Sequence, residues 1–123
     1  MAWVYSQSTG QLSHEISFFR AEGYSGCSKG KNCPDRQFEQ NMGPIPRGVW
    51  AISGPPYDSA EHGPFILRLT PGPTTDVGAR GGFLVHGDSR TAPGTASKGC
   101  IILPRPAREA IWHSDDRVLI VVE

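Results

Sequence analysis

Apolar residues along this chain gather into short runs, each of strand length, separated by glycine, proline and small polar residues. Trp3-Val4-Tyr5 leads through Ser6-Gln7 into Ser8-Thr9-Gly10, a pattern that predicts a strand and a hairpin turn, with Gly10 free to take positive φ. The return strand is expected through Leu12 and on into Ile16-Ser17-Phe18-Phe19. Residues 23–34 are rich enough in glycine and serine that no regular element is expected there. Met42 to Gly48, MGPIPRG, is a proline-stiffened approach to a strand at Val49-Trp50-Ala51-Ile52. Gly54-Pro55-Pro56 should end that strand, because proline lacks the ladder donor. Phe65 to Leu69 resumes strand character until Pro71-Gly72-Pro73, and Gly82 to His86 reads as a further strand. Pro104 to Trp112 is the one good helix candidate, with prolines at its start and helix formers behind them. Val118 to Val122 is apolar throughout, which predicts a mid-sheet strand buried on both faces.

Composition strengthens the β reading. Fifteen glycines and 11 prolines in 123 residues leave little room for long helices. No repeat, heptad or low-complexity tract interrupts the chain. The expectation is one domain over residues 1–123, mainly β, with about six to eight strands in a β-sandwich or partly closed barrel and one short helix near 105–112. Twelve basic and 12 acidic side chains balance, and no Lys/Arg arm stands out, which argues against nucleic acid as a partner. The longest apolar run falls far short of the roughly 18 residues that a membrane helix needs, so no membrane insertion is expected. The opening MAWVYSQSTGQ has neither the basic start nor the apolar run of a signal peptide. The chain is therefore expected to be made in the cytoplasm and to leave, if it leaves, by a route that reads no cleavable signal.

Chemistry concentrates between Gly81 and Pro104, in GGFLVHGDSRTAPGTASKGCIILP. One imidazole, His86, ends an apolar run; one thiol, Cys100, begins the next. A free thiol is only a few per cent ionised at neutral pH, so a nucleophilic cysteine needs a base, and His86 can supply one. Such a thiol is expected to ionise below the ordinary value. Gly99 lets the backbone turn sharply and a substrate carbonyl approach the sulfur. Backbone N–H groups of Lys98, Gly99 and Cys100 are candidates for an oxyanion hole. A buried structural Cys100 is the competing reading. Asp88, two positions after His86, shares its strand face if the strand continues, and is a candidate to orient the ring; Ser97 is a candidate to set its tautomer. Cys27 and Cys33 lie in one Gly/Ser/Lys-rich loop and either pair with each other or stay reduced. His14, His62 and His113 have no ligand spacing and read as surface or satisfied histidines. Nothing of HxxxH or CxxC type is present, so neither metal nor cofactor is expected, and His86, Asp88 and Cys100 make a poor zinc set.

These residues resemble a known pattern. Ser97-Lys98-Gly99-Cys100-Ile101, with His86 upstream, resembles the Ser/Thr-His-Gly-Cys signature of YkuD-type L,D-transpeptidases. Gly43-Pro44-Ile45-Pro46-Arg47-Gly48-Val49-Trp50 resembles the Thr-Pro-x-Gly stretch of that family. Trp3 to Leu12 looks like the opening hairpin of a narrower branch, the L,D-transpeptidase effectors that bacteria inject through type VI secretion. The resemblance implies a cysteine enzyme that acts on peptidoglycan stem tetrapeptides. Cys100 attacks the carbonyl of the third residue and the terminal D-alanine leaves. Water, a free D-amino acid or a second stem then resolves the thioester. It also implies delivery by type VI secretion to a target-cell periplasm, with a secretion apparatus and a cognate immunity protein as partners. In an oxidising periplasm a Cys27–Cys33 disulfide becomes relevant. Lys98 stands where the family carries a second histidine, and Ile101, Ile102 and Leu103 follow where an arginine is usual. A substrate carboxylate must therefore find another cation, with Arg80, Arg90, Arg68 and Lys98 as candidates. Papain-like and NlpC-type amidases place Cys before His, the reverse of the order here. The non-enzymatic alternative is a peptidoglycan-binding β domain with a structural Cys100.

Overall fold

The hairpin forms where the sequence predicts it. In the computed structural model, which describes residues 1–123, strand β1 (Ala2–Ser6) turns back into β2 (Gln11–His14). The return strand stops at His14 instead of running on to Phe19. Ser17 bends the backbone by accepting from the Phe19 N–H, and Phe18 is left almost wholly exposed. The chain then pairs back along β2 as β3 (Arg20–Glu22). The loop expected to lack regular structure holds a two-residue strand, β4 (Tyr24–Ser25), and two 3-10 turns, Ser28–Gly30 and Pro34–Arg36.

Strand β5 (Gly48–Ser59) does not end at its prolines. It pairs with β6 (Gly63–Pro71) on both sides of a register break between Ser53 and Tyr57, and Gly54, Pro55 and Pro56 fall in the break, where no ladder donor is required. Trp112 packs against this bulge so closely that a Cβ on Gly54 would sit 2.5 Å from its ring. The chain continues through β7 (Leu84–His86), β8 (Ile101–Ile102), α1 (Arg105–His113) and β9 (Val118–Val122).

All nine strands join one sheet in the order β3-β2-β1-β9-β5-β6-β7-β8-β4, and the sheet is not closed into a barrel. The class is mainly β with one short helix, as expected, with nine strands against the expected six to eight. Strand β9 lies mid-sheet between β1 and β5, but it is not buried on both faces. Leu119 and Val121 face the core while Val118 and Val122 are exposed, so one sheet face is open to solvent there. The covered face carries Trp3, Tyr5, Trp50, Ile52, Leu119 and Val121 in matched register. Helix α1 starts after Pro104 with Pro106 in its first turn, and it buries Ala107, Arg108 and Ile111.

Trp50 joins the two halves of this core. It is 1% exposed, donates its indole N–H to the Pro46 carbonyl at 3.0 Å, and meets the Phe83 ring edge-on at 5.0 Å. Trp50→Ala is expected to cost about 3–5 kcal/mol of folding free energy, measured by urea unfolding. A loss below about 1 kcal/mol would show that the tryptophan is not part of a tightly packed core.

Candidate active site

His86 and Cys100 are brought together by a parallel strand pair. Strands β7 and β8 run side by side with Val85 opposite Ile101 and His86 opposite Ile102. Parallel neighbours need a crossover of a dozen residues or more, and the loop from Gly87 to Cys100 is that crossover. Extending the register sets Cys100 beside Leu84, on the same pleat face as His86 and diagonal to it. Both side chains line an open cleft of about 1440 Å³. The β5–β6 turn adds Glu61 and His62 to its wall, and the N-terminal half of α1 adds Arg105 and Arg108.

The turn into Cys100 is held by its carbonyls. Arg80 Nη2 donates to Lys98 O at 2.9 Å, Ser25 Oγ to Gly99 O at 2.9 Å, and Ser97 Oγ to Cys100 O at 2.6 Å. Ser25 and Ser97 are fully buried. Ser25 Oγ also accepts from Ile45 N, and Ser97 Oγ accepts from Gly26 N and Gly99 N. Ser97 therefore shapes the cysteine turn and makes no bond to His86. Gly99 adopts φ +145°, and a Cβ there would lie 2.3 Å from Arg80 Nη2, so both backbone and space demand glycine. Its N–H is taken by Ser97. The Cys100 N–H, directed opposite the Gly99 carbonyl in the same peptide plane, has no backbone or side-chain acceptor. Of the three amides expected to form an oxyanion hole, Gly99 is thus occupied and Cys100 is free.

The ring of His86 is 2% exposed and its tautomer follows from one contact. Nδ1 lies 2.8 Å from the Gly87 carbonyl, which can only accept, so Nδ1 carries the proton. Nε2 is buried, without a partner, and free to act as a base. His62, expected to be a surface or satisfied histidine, stacks on His86 with ring centroids 4.3 Å apart. The cleft thus holds a second imidazole, supplied by the β5–β6 turn instead of the position before Gly99. Burial holds the His86 imidazolium below its ordinary pKa, and the charges of His62 and Arg108 add to that, against the Gly87 carbonyl and Asp88. Burial pushes the Cys100 thiol up, more than the Leu84 N–H and the Arg80 cation lower it. The expectation of a thiol that ionises early is therefore corrected. Both shifts favour the neutral forms, and Sγ donates only weakly, to Gly82 O at 3.8 Å. A neutral thiol–imidazole pair can react by general-base transfer at the moment of attack.

Several predicted roles move. Asp88 does not touch the His86 ring. Its oxygens accept from Tyr24 Oη at 2.6 Å and from the Ser89 and Gly94 amides, and these bonds hold its carboxyl low despite partial burial. Burial and this bond push the Tyr24 phenol up to about 12. Arg80 lines the cleft, but its two Nη atoms donate to the carbonyls of Gln37, Pro44, Gly43 and Lys98, leaving little to offer a substrate. Arg90 and Lys98 are exposed on the cleft rim, whereas Arg68 stacks over Tyr57 away from it. Cys27 and Cys33 are free thiols; each opens a separate 3-10 turn, and Cys27 donates to the Asn41 carbonyl. His14 is neither a surface nor a fully satisfied histidine: Nε2 meets Asp116 Oδ2 at 2.5 Å, while its buried Nδ1 has no partner; His113 is exposed. No three His, Cys, Asp or Glu side chains gather as a metal-binding group. The sequence reading missed Arg108, a buried arginine on α1 that reaches the cleft. Its helical context was legible; its inward direction was not.

The model for the Tlde1 domain matches residues 20–121, and the chain belongs to that family. The family is one of type VI secretion effectors, a bacterial toxin domain, which implies a secretion apparatus and a cognate immunity protein as partners. No curated protein matches the chain. No helix is long and apolar enough to cross a membrane.

The raised thiol makes a direct prediction. Alkylation of Cys100 by iodoacetamide should climb with pH through and beyond the range of an ordinary thiol, because the thiolate forms late. A plateau reached near neutral pH would mean that a preformed thiolate exists and that the neutral pair is wrong.

Proposed function

We propose that this type VI effector domain is a peptidoglycan-modifying cysteine enzyme that removes the terminal D-alanine of stem tetrapeptides through a Cys100 thioester. The observation that carries the reading is the pairing, in one cleft, of a thiol on a carbonyl-held turn with a buried imidazole whose Nε2 is free. The resemblance of Ser97 to Ile101 to the transpeptidase signature supplies the substrate class.

The steps follow from the atoms. His86 Nε2 takes the thiol proton as Sγ attacks the carbonyl of the third stem residue. Negative charge grows on that oxygen, where the unpaired Cys100 N–H is a donor. The imidazolium, disfavoured by burial, returns its proton to the departing amine. D-Alanine leaves, and the thioester passes to water, to a free D-amino acid or to an amine of a second stem. Arg80, unpaired with any carboxylate, lowers the cost of negative charge on sulfur through the step. Delivered to a target periplasm, such an enzyme depletes the wall of normal donor stems.

A binding module with a structural Cys100 is the second reading, favoured by the thiol's partial burial and raised pKa. The two separate in one assay. Cys100→Ala and His86→Ala should each reduce D-alanine release from a disaccharide-tetrapeptide by at least about 1,000-fold while far-UV circular dichroism is unchanged. Release that survives Cys100→Ala would sink the thioester. Wall binding with no release by the wild type would establish the binding module.

A further inference from the structure

Arg108 is an arginine in an unusual position. It is 5% exposed, on the first turns of α1, and no carboxylate lies within ion-pair distance. Its neighbour Glu109 turns instead to Arg105, at 3.7 Å. Nε donates to Leu103 O at 3.1 Å, and Nη1 to Pro64 O at 2.6 Å and Phe65 O at 3.0 Å. Those three bonds dock the helix start on β6 and on the segment after β8. Nη2 donates to no protein atom, and the residue lines the cleft. Nη2 is thus the one arm of this guanidinium without an acceptor, and at the cleft wall an anion would pair it.

Where that position lies relative to the base is also clear. A Cβ on Gly87 would stand 2.8 Å from Arg108 Nη2, so the guanidinium packs against the residue that follows His86 and that fixes its tautomer. In the thioester reading, His86 hands its proton to the amine of the leaving amino acid. The carboxylate of that amino acid is two covalent bonds from the same amine, within about 4 Å of it. A cation beside His86 is thus on the leaving-group side of the sulfur, while Arg80 is beside the sulfur itself.

We propose that Arg108 Nη2 binds the free α-carboxylate of the amino acid expelled from Cys100, and so restricts the enzyme to peptide bonds at a C-terminus. This rests on the thioester reading and names a cation that neither Arg80 nor Arg90 replaces. Arg80 is occupied by four carbonyls, and Arg90 lies out on the rim. The arrangement selects against a stem whose last residue is amidated, extended or cross-linked through its carboxyl group. A monodentate contact from an already anchored guanidinium also needs no rearrangement of α1 on binding.

The test compares a synthetic stem tetrapeptide ending in D-alanine with the same peptide ending in D-alaninamide, reading kcat/KM for release of the last residue. Wild type should favour the free acid by about 10- to 100-fold, the worth of one bond between charged groups. In Arg108→Lys that preference should shrink, and in Arg108→Gln it should collapse towards one. The wild-type comparison needs no variant, so it stands even if a substitution at this buried site fails to fold. Equal release of both by the wild type would overturn the role of Arg108 and leave the thioester intact. A folded Arg108→Gln that keeps the full preference would overturn it as well. Release of neither peptide would overturn the thioester reading, and this proposal with it.

Discussion

Three consecutive carbonyl groups, those of Lys98, Gly99 and Cys100, are each held by a side chain from a different place: Arg80, Ser25 and Ser97. The remainder of the site depends on this. A carbonyl that is fixed also fixes the N–H across its peptide plane, so the clamp decides which amides are spent and which remain. It spends Gly99 and leaves Cys100. Ser25 and Arg80 also bind the Met42–Pro46 approach, through Ile45 N and the Gly43 and Pro44 carbonyls. The stiff proline-rich stretch before β5 and the turn before β8 are thereby one rigid unit, although they are more than fifty residues apart in the chain.

Electrostatics in the cleft run against charge separation at rest. Burial raises the thiol and lowers the imidazole, and both shifts favour the neutral pair. The two deeply placed arginines carry the opposite tendency. Neither has a carboxylate partner, and burial lowers the pKa of both, Arg80 against the pull of the Cys100 sulfur and Arg108 against that of Glu109. Their charge is therefore available to whatever anion forms or binds nearby. The Cys100–His86 pair is favoured in its neutral form at rest, and the two cations beside it stabilise negative charge when it forms, the setting in which fixed dipoles and cations act most strongly.

Much of this was legible in the chain, and the rest failed for identifiable reasons. Apolar runs marked the hairpin, β6, β7, β9 and the helix, and a glycine before a cysteine with a histidine upstream marked the cleft. Strand β4 was hidden because two residues carry no periodicity, and its partner Ile102 lies far along the chain. The prolines of β5 were read as a stop, yet a register break absorbs them. Strand alternation makes Asp88 a candidate to orient His86, and Arg80 is one of four candidate cations for a substrate carboxylate, whereas Tyr24 and four backbone carbonyls occupy them. His62 reads in sequence as a surface or satisfied histidine and Arg108 as part of a helix; only the folded turn stacks the first on His86 and only the docked helix packs the second against Gly87. Sequence spacing singled out the candidate thiol and imidazole; their neighbours required the tertiary structure.

In the proposed reaction the Cys100 sulfur becomes covalently acylated. Acid quenching of the protein during turnover of a disaccharide-tetrapeptide, followed by intact and peptide mass spectrometry, tests it most directly. The expected result is an adduct on the Cys100 peptide equal in mass to the substrate less D-alanine, labile to hydroxylamine and absent from Cys100→Ala. Release of D-alanine with Cys100 unmodified throughout the reaction would contradict it.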